Sequence, residues 1–248
     1  MCELFAMTAG QHYTAQEYLP LFADKSRDNY SGWGIGFFRN GQVFIEKCCE
    51  GIYAGDQVHD SFQRLARVID SRVILSHIRC TKAGHRKESH AQPLADKFLE
   101  HQWLFCFAGE SKGCAAYASP RPIIEEDLLA ARVFEFIRDA LLAQMADWPG
   151  LSLYQGLAVA CKQLITQYPG EYIFLLANET VLFNFLNHSR VFLYRPPEAL
   201  GEFLVLTTVA GGLTRAPDHW RAHDAHADPS RGQLLIVSGA DLLHVGHV

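Results

Sequence analysis

The chain begins Met1-Cys2-Glu3-Leu4-Phe5-Ala6-Met7-Thr8, and the rest of the sequence is best understood from this short stretch. Once Met1 is removed, Cys2 carries a thiol and a free α-amino group on one residue. The ordinary pKa is about 8.5 for a thiol and about 8 for an α-amino group, so the amine can accept the thiol proton directly or through water. Cys2 is therefore a candidate nucleophile. The alternative, which its position alone favours, is a small apolar residue at the start of an edge strand.

The length and composition of the chain are those of a folded protein. Its 248 residues are 49% hydrophobic and 20% charged, which predicts a large core in a single domain over residues 1–248. A net charge of −5 offers no basic surface for a phosphate backbone, so nucleic acid is not expected as a partner. The sequence shows neither a basic N-terminal region followed by an apolar run nor any apolar run of about 18 residues. We therefore expect a cytoplasmic protein without a membrane partner.

Neither the cysteines nor the histidines form a strong metal motif. The cysteines are odd in number and lack CxxC spacing, which indicates reduced thiols, with the Cys48-Cys49 pair in a structural role. Near the C-terminus, steps of four and three residues separate His219, His223 and His226, a spacing that aligns metal ligands on a helix. Flanking prolines favour a polar surface loop there instead, so we predict neither a metal nor a cofactor. The cysteines are at positions 2, 48, 49, 80, 106, 114 and 161.

Hydrophobic periodicity divides the chain into strands, then two helices, then strands again. Strands are predicted over residues 2–8, 42–47, 72–79, 102–107, 171–177, 181–186, 191–195, 203–208, 233–238 and 242–245. The segment 29–38 is predicted to form a hairpin with 42–47 through the Asn40-Gly41 turn, and residues 80–100 are predicted to be irregular. Helices are predicted for a short segment limited by Pro20, for 58–69, from 125 to a stop at 147–150, and for 151–168. This order predicts an α+β fold in which helices cover stacked sheets.

Four features together resemble the class II glutamine amidotransferases, a family of N-terminal-nucleophile hydrolases. They are Cys2, the segment Gly32-Trp33-Gly34, the strand that ends in His77-Ile78-Arg79 and the strand that ends in Ala108-Gly109. The resemblance covers most of residues 1–140 and the strands that follow, and is closest to the small stand-alone bacterial members. It implies a four-layer αββα sandwich with two stacked antiparallel sheets.

The resemblance also implies a reaction and its partners. Cys2 is expected to attack the side-chain amide of glutamine or of a γ-glutamyl compound, to pass through a thioester, and to release ammonia or an amine. The substrate is a small molecule. The resemblance does not decide between two protein partners, a second copy of the chain and a partner synthase.

Several substrate-binding residues follow from the same resemblance. Arg79 is expected to grip the α-carboxylate of glutamine, because a planar guanidinium can pair with a carboxylate through two parallel hydrogen bonds. Trp33 lies in the glycine-rich hairpin segment, Gln92 in the loop after the Arg79 strand, and Glu125 at the acidic position that holds the substrate amino group. The alternative for Arg79 is a surface ion pair. The alternative for Glu125 and its acidic neighbours is to complement the dipole of a helix N-terminus.

One position departs from the family pattern where catalysis depends on it. The family's strand ends in His-Asn-Gly, whose asparagine side chain and glycine amide bind the oxyanion, whereas this chain has Phe107-Ala108-Gly109. Gly109 keeps its backbone N–H but Ala108 has no donor, and losing one donor typically costs about 100- to 1,000-fold in rate. Two hypotheses follow. One is an amidase that uses Cys2 and Gly109, with Gln92 as a candidate replacement donor; the other is a catalytically silent binding scaffold of the same fold.

Overall fold

The computed structural model describes residues 2–27, 31–80, 87–124, 128–197, 202–214 and 219–248, which form fifteen strands and four helices. The helices are α1 (Tyr18–Lys25), α2 (Asp60–Val68), α3 (Leu129–Asp147) and α4 (Leu153–Gln167). The strands are β1 (Glu3–Thr14), β2 (Trp33–Arg39), β3 (Gln42–Cys48), β4 (Tyr53–Ala54), β5 (Gln57–Val58), β6 (Asp70–Ile78), β7 (Leu94–Phe98), β8 (His101–Glu110), β9 (Glu171–Ala177), β10 (Leu182–Leu186), β11 (Arg190–Tyr194), β12 (Phe203–Thr207), β13 (Trp220–Asp224), β14 (Gln233–Ser238) and β15 (Asp241–His247).

Two antiparallel sheets contain most of these strands. In the described part of the chain, the first sheet has seven strands in the order β13-β11-β12-β1-β6-β2-β3, and the second has six in the order β15-β14-β10-β9-β8-β7. The short strands β4 and β5 pair with each other. The residues Asn40 and Gly41 join β2 to β3 with positive φ values of 52° and 72°, as the predicted hairpin turn requires.

Alternating side chains show that the two sheets stack face to face. Along β1, Leu4 and Ala6 pack into the core between the sheets, whereas Phe5 and Met7 pack in the core shared with α1 and α2. Strand β8 of the second sheet alternates in the same way between the inter-sheet core and the layer of α3 and α4. The predicted four-layer αββα sandwich is therefore confirmed.

Two glycines of β2 allow the second sheet to approach the first. A Cβ atom at Gly34 would lie 2.2 Å from the carbonyl oxygen of Gln92. A Cβ atom at Gly36 would lie 3.0 Å from the side chains of Leu104 and Pro93. Gly34 and Gly36 therefore have a steric role, because the absence of a side chain makes room for the segment that enters β7 and for β8.

Three predictions of secondary structure differ from the structure. Pro20 lies inside α1, in the first turn, where backbone N–H groups have no intrahelical partner and proline is tolerated. Strand β7 lies within the stretch 80–100 that was predicted to be irregular, and β13 lies in the predicted surface loop around His223. Both strands are at sheet edges and are partly exposed, so their sequences lack the continuous apolar runs that mark inner strands.

The end of β8 accepts only glycine, because Gly109 has a φ of +152° and a Cβ atom there would lie 1.9 Å from the carbonyl oxygen of Glu171. We expect Gly109→Ala to lower the free energy of unfolding by about 2 to 4 kcal/mol, since β8 and β9 have to move apart. Urea denaturation measures this. Gly150→Ala is the matched control, because Gly150 also has a positive φ of +104° but no neighbouring atom within 4 Å. Equal losses in the two variants would show that the contact with Glu171 is unimportant.

Candidate active site

The predicted nucleophile and the predicted carboxylate-binding arginine are neighbours across two strands. Glu3 of β1 lies opposite Ile78 of β6, and Leu4 lies opposite His77. Continuing this register by one residue places Cys2 opposite Arg79, and such cross-strand Cβ atoms are about 4.5 to 5.5 Å apart on one face of the sheet. Cys2 packs against the inter-sheet core, so this face is the one that looks towards the second sheet.

The backbone on both sides of this pair is held by hydrogen bonds. The N–H of Arg79 donates to the carbonyl of Gly32 at 2.8 Å, and the carbonyl of Arg79 accepts from the N–H of Ser31 at 3.2 Å. On the other side, the Leu4 N–H donates to Thr208 Oγ1 at 2.9 Å, and the Thr208 N–H donates to the Leu4 carbonyl at 3.1 Å. The glycine-rich segment and the residue after β12 therefore fix the strand ends that carry Arg79 and Cys2.

Burial controls the charge state of the Cys2 thiol. The thiol donates a weak hydrogen bond to the carbonyl of Cys80, with a sulfur-to-oxygen distance of 3.8 Å. Burial raises the pKa of the Cys2 thiol, and the Cys80 carbonyl and Arg79 offset this only in part. The thiol is therefore protonated at neutral pH. A base has to remove its proton before it can act as a nucleophile.

Trp33 lies on the helix side of the first sheet. It is buried, and its ring contacts Phe62 of α2 at 5.2 Å in an edge-to-face arrangement and His59 at 5.4 Å. The opposite side of β2, where Gly34 lies, faces the second sheet. The structure thus places the Trp33 ring away from the face that carries Cys2, and its predicted contact with substrate stays a prediction.

Gln92 connects the two sheets with its side chain. Its Oε1 accepts from the backbone N–H of Phe107 at 2.6 Å, and its Nε2 donates to the Phe107 carbonyl at 3.2 Å. The same Nε2 lies 3.4 Å from Nε2 of His77. Gln92 is buried, and its side-chain amide pairs with the backbone of Phe107 as a residue of a neighbouring strand would. To serve as a replacement donor for an oxyanion, Gln92 would have to give up one of these contacts.

His77 is fully buried and uncharged. Burial, with the positive charges of Arg79 and Lys47, lowers the pKa of His77 to about 3. Its Nδ1 has no hydrogen-bond partner within the described ranges. Because the unfolded chain has an ordinary histidine pKa of about 6.5, the unfolded state binds a proton between pH 6.5 and pH 3 that the folded state does not. Protonation of His77 in the unfolded chain therefore favours unfolding, and the folded state loses stability as the pH falls from 6.5 towards 3.

This difference predicts a pH effect that depends on His77. Between pH 7 and pH 4.5 the wild type is expected to lose about 2 to 3 kcal/mol more unfolding free energy than His77→Gln, which has no proton to gain. Urea denaturation of both proteins at the two pH values measures the difference. The same substitution at His12, which is exposed, is the control. Identical pH dependence in wild type and His77→Gln would contradict the assignment.

The two positions predicted to bind an oxyanion, Ala108 and Gly109, lie at the end of β8. Ala108 is buried in the inter-sheet core, opposite Ile173 of β9, and Gly109 follows it opposite Tyr172. The methyl group of Ala108 therefore faces the inter-sheet space and offers no hydrogen-bond donor there.

Glu125 lies outside the described residues. The chain that leads to Glu125 is anchored by Arg138 of α3, a buried side chain that sequence analysis did not single out. Arg138 donates to Ser119 Oγ at 2.7 Å and to the Arg121 carbonyl at 2.6 Å. It also forms ion pairs of 2.8 Å with Asp96 and Asp139. The partners other than Asp139 lie 17 to 42 residues away in the sequence, so no local pattern indicates these contacts.

One group of potential metal ligands occurs among the described residues: the ligand atoms of Cys48, Glu50 and His59 all lie within 4.8 Å of one another. His59 Nδ1 accepts a hydrogen bond from the Ser61 N–H, so the neutral ring carries its proton on Nε2. This Nε2 lies 3.4 Å from a carboxylate oxygen of Glu50. The ring of His59 and the carboxylate of Glu50 are therefore within ion-pair distance of each other.

A cavity of about 490 Å³ lies at the other end of the sheets. Its lining includes Ala9 and Gly10 of β1, Arg72 of β6 and Gly239. Ala9 is seven residues from Cys2 along an extended strand, which places this cavity roughly 23 Å from the thiol. It is separate from the site described above.

In the ranges that the structure describes, no helix is long and apolar enough to cross a membrane.

Solved structures with this fold are described as amidotransferases. The glutamine phosphoribosylpyrophosphate amidotransferase from B. subtilis has a TM-score of 0.64 at 13% identity, covering 100% of this chain and 49% of that one. A predicted glutamine amidotransferase from Pseudomonas aeruginosa has a TM-score of 0.64 at 17% identity, covering 98% and 100%. A glutamine aminotransferase class-II domain protein from Silicibacter pomeroyi has a TM-score of 0.60 at 11% identity, covering 100% and 98%. At these identities the likeness shows the fold.

The family follows from the sequence itself. Residues 1–202 match the model of the class II glutamine amidotransferases, and the chain belongs to this family. A curated relative, an uncharacterised protein of Methanocaldococcus jannaschii, is 27% identical over 113 residues. That match covers 46% of this chain and 31% of the relative, so the chain spans less than a third of the relative's length.

Proposed function

We propose that the protein is an amidase that hydrolyses the side-chain amide of glutamine or of a γ-glutamyl compound, with Cys2 as an N-terminal nucleophile after removal of Met1. The observation that carries the proposal is the position of Cys2 opposite Arg79, on the inter-sheet face, in a chain of this family. The α-amino group of Cys2 accepts the thiol proton as Sγ attacks the amide carbon. That proton then passes to the leaving nitrogen, which departs as ammonia or an amine. Water hydrolyses the resulting thioester.

The remaining residues of the site bind the substrate around the attacked carbon. Arg79 pairs with the α-carboxylate, and Glu125 holds the amino group. The backbone N–H of Gly109 donates to the oxygen that gains negative charge. Because Ala108 adds no second donor, the rate is expected to be low for the family. Ammonia transfer to a partner synthase, or pairing of two chains, is compatible with this arrangement.

A catalytically silent binding protein is the second candidate, and two observations favour it. Ala108 faces the inter-sheet space without a donor, and the amide of Gln92 is engaged by Phe107. Such a protein keeps Arg79 for binding but does not turn glutamine over. Direct measurement of ammonia release from glutamine, on protein whose intact mass shows that Met1 is removed, separates the two candidates. Retention of Met1 in active protein would contradict the mechanism as written, because the amine of Cys2 would then be an amide.

Arg79→Lys tests the carboxylate contact. Replacing a planar fork by a point charge is expected to raise the KM for glutamine about 10- to 100-fold with a smaller change in kcat. Arg72→Lys is the matched control, since Arg72 is exposed at the other end of the same strand. Steady-state kinetics of the three proteins measures the effect. An unchanged KM in Arg79→Lys would remove Arg79 from the binding site.

A further inference from the structure

The cysteines fall into two groups by exposure. Cys106, Cys114 and Cys161 are buried, while the other four are half-buried. Of these four, Cys2 precedes β1, Cys80 follows β6, and the pair Cys48-Cys49 lies at the end of β3. The order β1-β6-β2-β3 in the first sheet therefore makes Cys80, not the pair, the thiol-bearing neighbour of Cys2.

Cys2 and Cys80 lie close together at the ends of two paired strands. The sulfur of Cys2 lies 3.8 Å from the carbonyl oxygen of Cys80. Since Cys2 lies opposite Arg79, Cys80 is its diagonal neighbour, with a Cα separation of about 5 to 6.5 Å, and disulfides span about 4.4 to 6.8 Å. Because β6 ends at Ile78, Cys80 lies two residues beyond the last residue of the strand.

The vicinal pair is out of reach of the nucleophile. Three strand spacings separate β1 from β3, which is about 14 Å, whereas a disulfide cannot bridge Cα atoms more than about 7 Å apart without movement of the backbone. Gly32 lies between Cys80 and the pair: its carbonyl accepts from the Arg79 N–H, and a Cβ atom on it would lie 2.9 Å from the Cys48 carbonyl. Among the half-buried thiols, Cys80 is thus the partner for Cys2.

We propose that Cys2 and Cys80 form a reversible disulfide that caps the nucleophile under oxidising conditions. The Cys2 thiolate attacks one sulfur of a small-molecule disulfide such as oxidised glutathione, and one glutathione leaves. The Cys80 thiolate then attacks the Cys2 sulfur and expels the second glutathione. Two protein thiols are oxidised, and one glutathione disulfide is reduced to two molecules of glutathione. The protons of the two protein thiols pass to the two glutathione thiolates that leave.

The consequence is an off state for the site. A sulfur that is bonded to Cys80 cannot form a thioester, and a thiol reductant restores it. The regulatory meaning of the bond rests on the proposed function, whereas the bond itself does not. The two can therefore be tested separately.

The bond is tested by mass spectrometry of the full chain equilibrated in buffers of oxidised and reduced glutathione. The variant Cys48→Ser/Cys49→Ser serves as background, so that the vicinal pair cannot contribute. In this background we expect a mass lower by two hydrogens and, after trypsin, a link between the N-terminal peptide and the peptide that begins at Cys80. Adding Cys80→Ser should replace this species by a single glutathione adduct on Cys2. No mass change, or a stable glutathione adduct on Cys2 with Cys80 present, would overturn the inference.

Activity distinguishes failure of the inference from failure of the proposed function. Glutamine hydrolysis is expected to fall in proportion to the disulfide fraction, at least tenfold when oxidation is complete, and to return with dithiothreitol. Full activity in fully linked protein would overturn the regulatory role. If the link forms but neither redox state hydrolyses glutamine, the disulfide stands and the amidase proposal fails.

Discussion

Cys2→Ala is expected to lower glutamine hydrolysis by about 1,000-fold or more, because it removes the proposed nucleophile on which the thioester forms. Labelling by a glutamine-mimicking electrophile should disappear in the same variant. Cys2 only borders the inter-sheet core, so the loss of its sulfur is expected to change stability little. A folded, inactive variant is therefore the expected result, to be measured as ammonia release and as mass of the labelled chain.

Two controls make this result specific to Cys2. Cys49→Ser removes another half-buried thiol, which directly follows the edge strand β3, and this variant should keep both activity and labelling. Urea denaturation of Cys2→Ala should give nearly the wild-type midpoint. Labelling of Cys2→Ala at the wild-type level would refute the assignment of the nucleophile. Loss of activity in Cys49→Ser as well would point instead to a general effect on folding.

The fold could be predicted because each inner strand appears in the sequence as a short, largely apolar run. Residues 4–9 of β1 and 73–78 of β6 are buried without a break, which gives the largely apolar runs read from the sequence. The Asn40-Gly41 turn fixed the register of β2 on β3 in the same local way. The edge strands β7 and β13 were missed because only two of five residues in β7 and one of five in β13 are buried. Their strand conformation depends on pairing with the neighbouring strand.

The candidate site was predictable in part, for the same physical reason. Cys2 and Arg79 stand at strand ends whose pairing brings them together, and both strands could be read locally. The side chain of Gln92, by contrast, is bound to Phe107, fifteen residues away, and only the packed sheets show this contact. The direction of the Trp33 side chain could not be predicted from the sequence. Its flanking glycines allow close packing of the sheets, but its ring packs against α2.

The buried oxyanion position carries the second large effect. Ala108→Asn is expected to raise the turnover of glutamine by up to about 100- to 1,000-fold, because it adds a second donor beside the N–H of Gly109. The side chain at position 108 faces the inter-sheet core, the same face as Cys2, so the added amide points into the site. Some of the gain is offset, since the position is buried and packed opposite Ile173.

Ala108→Leu is the matched control for Ala108→Asn, since leucine adds similar bulk without a donor and should leave turnover at or below the wild-type rate. Gln92→Ala tests the remaining alternative. If Gln92 already supplies the second donor, Ala108→Asn gains little and Gln92→Ala lowers turnover. If Gln92 only holds β8, Gln92→Ala lowers the free energy of unfolding by about 1 to 3 kcal/mol, because the buried N–H of Phe107 loses its acceptor. Absence of turnover in the wild type, Ala108→Asn and Gln92→Ala alike, with Met1 removed, would leave a binding scaffold as the function of this site.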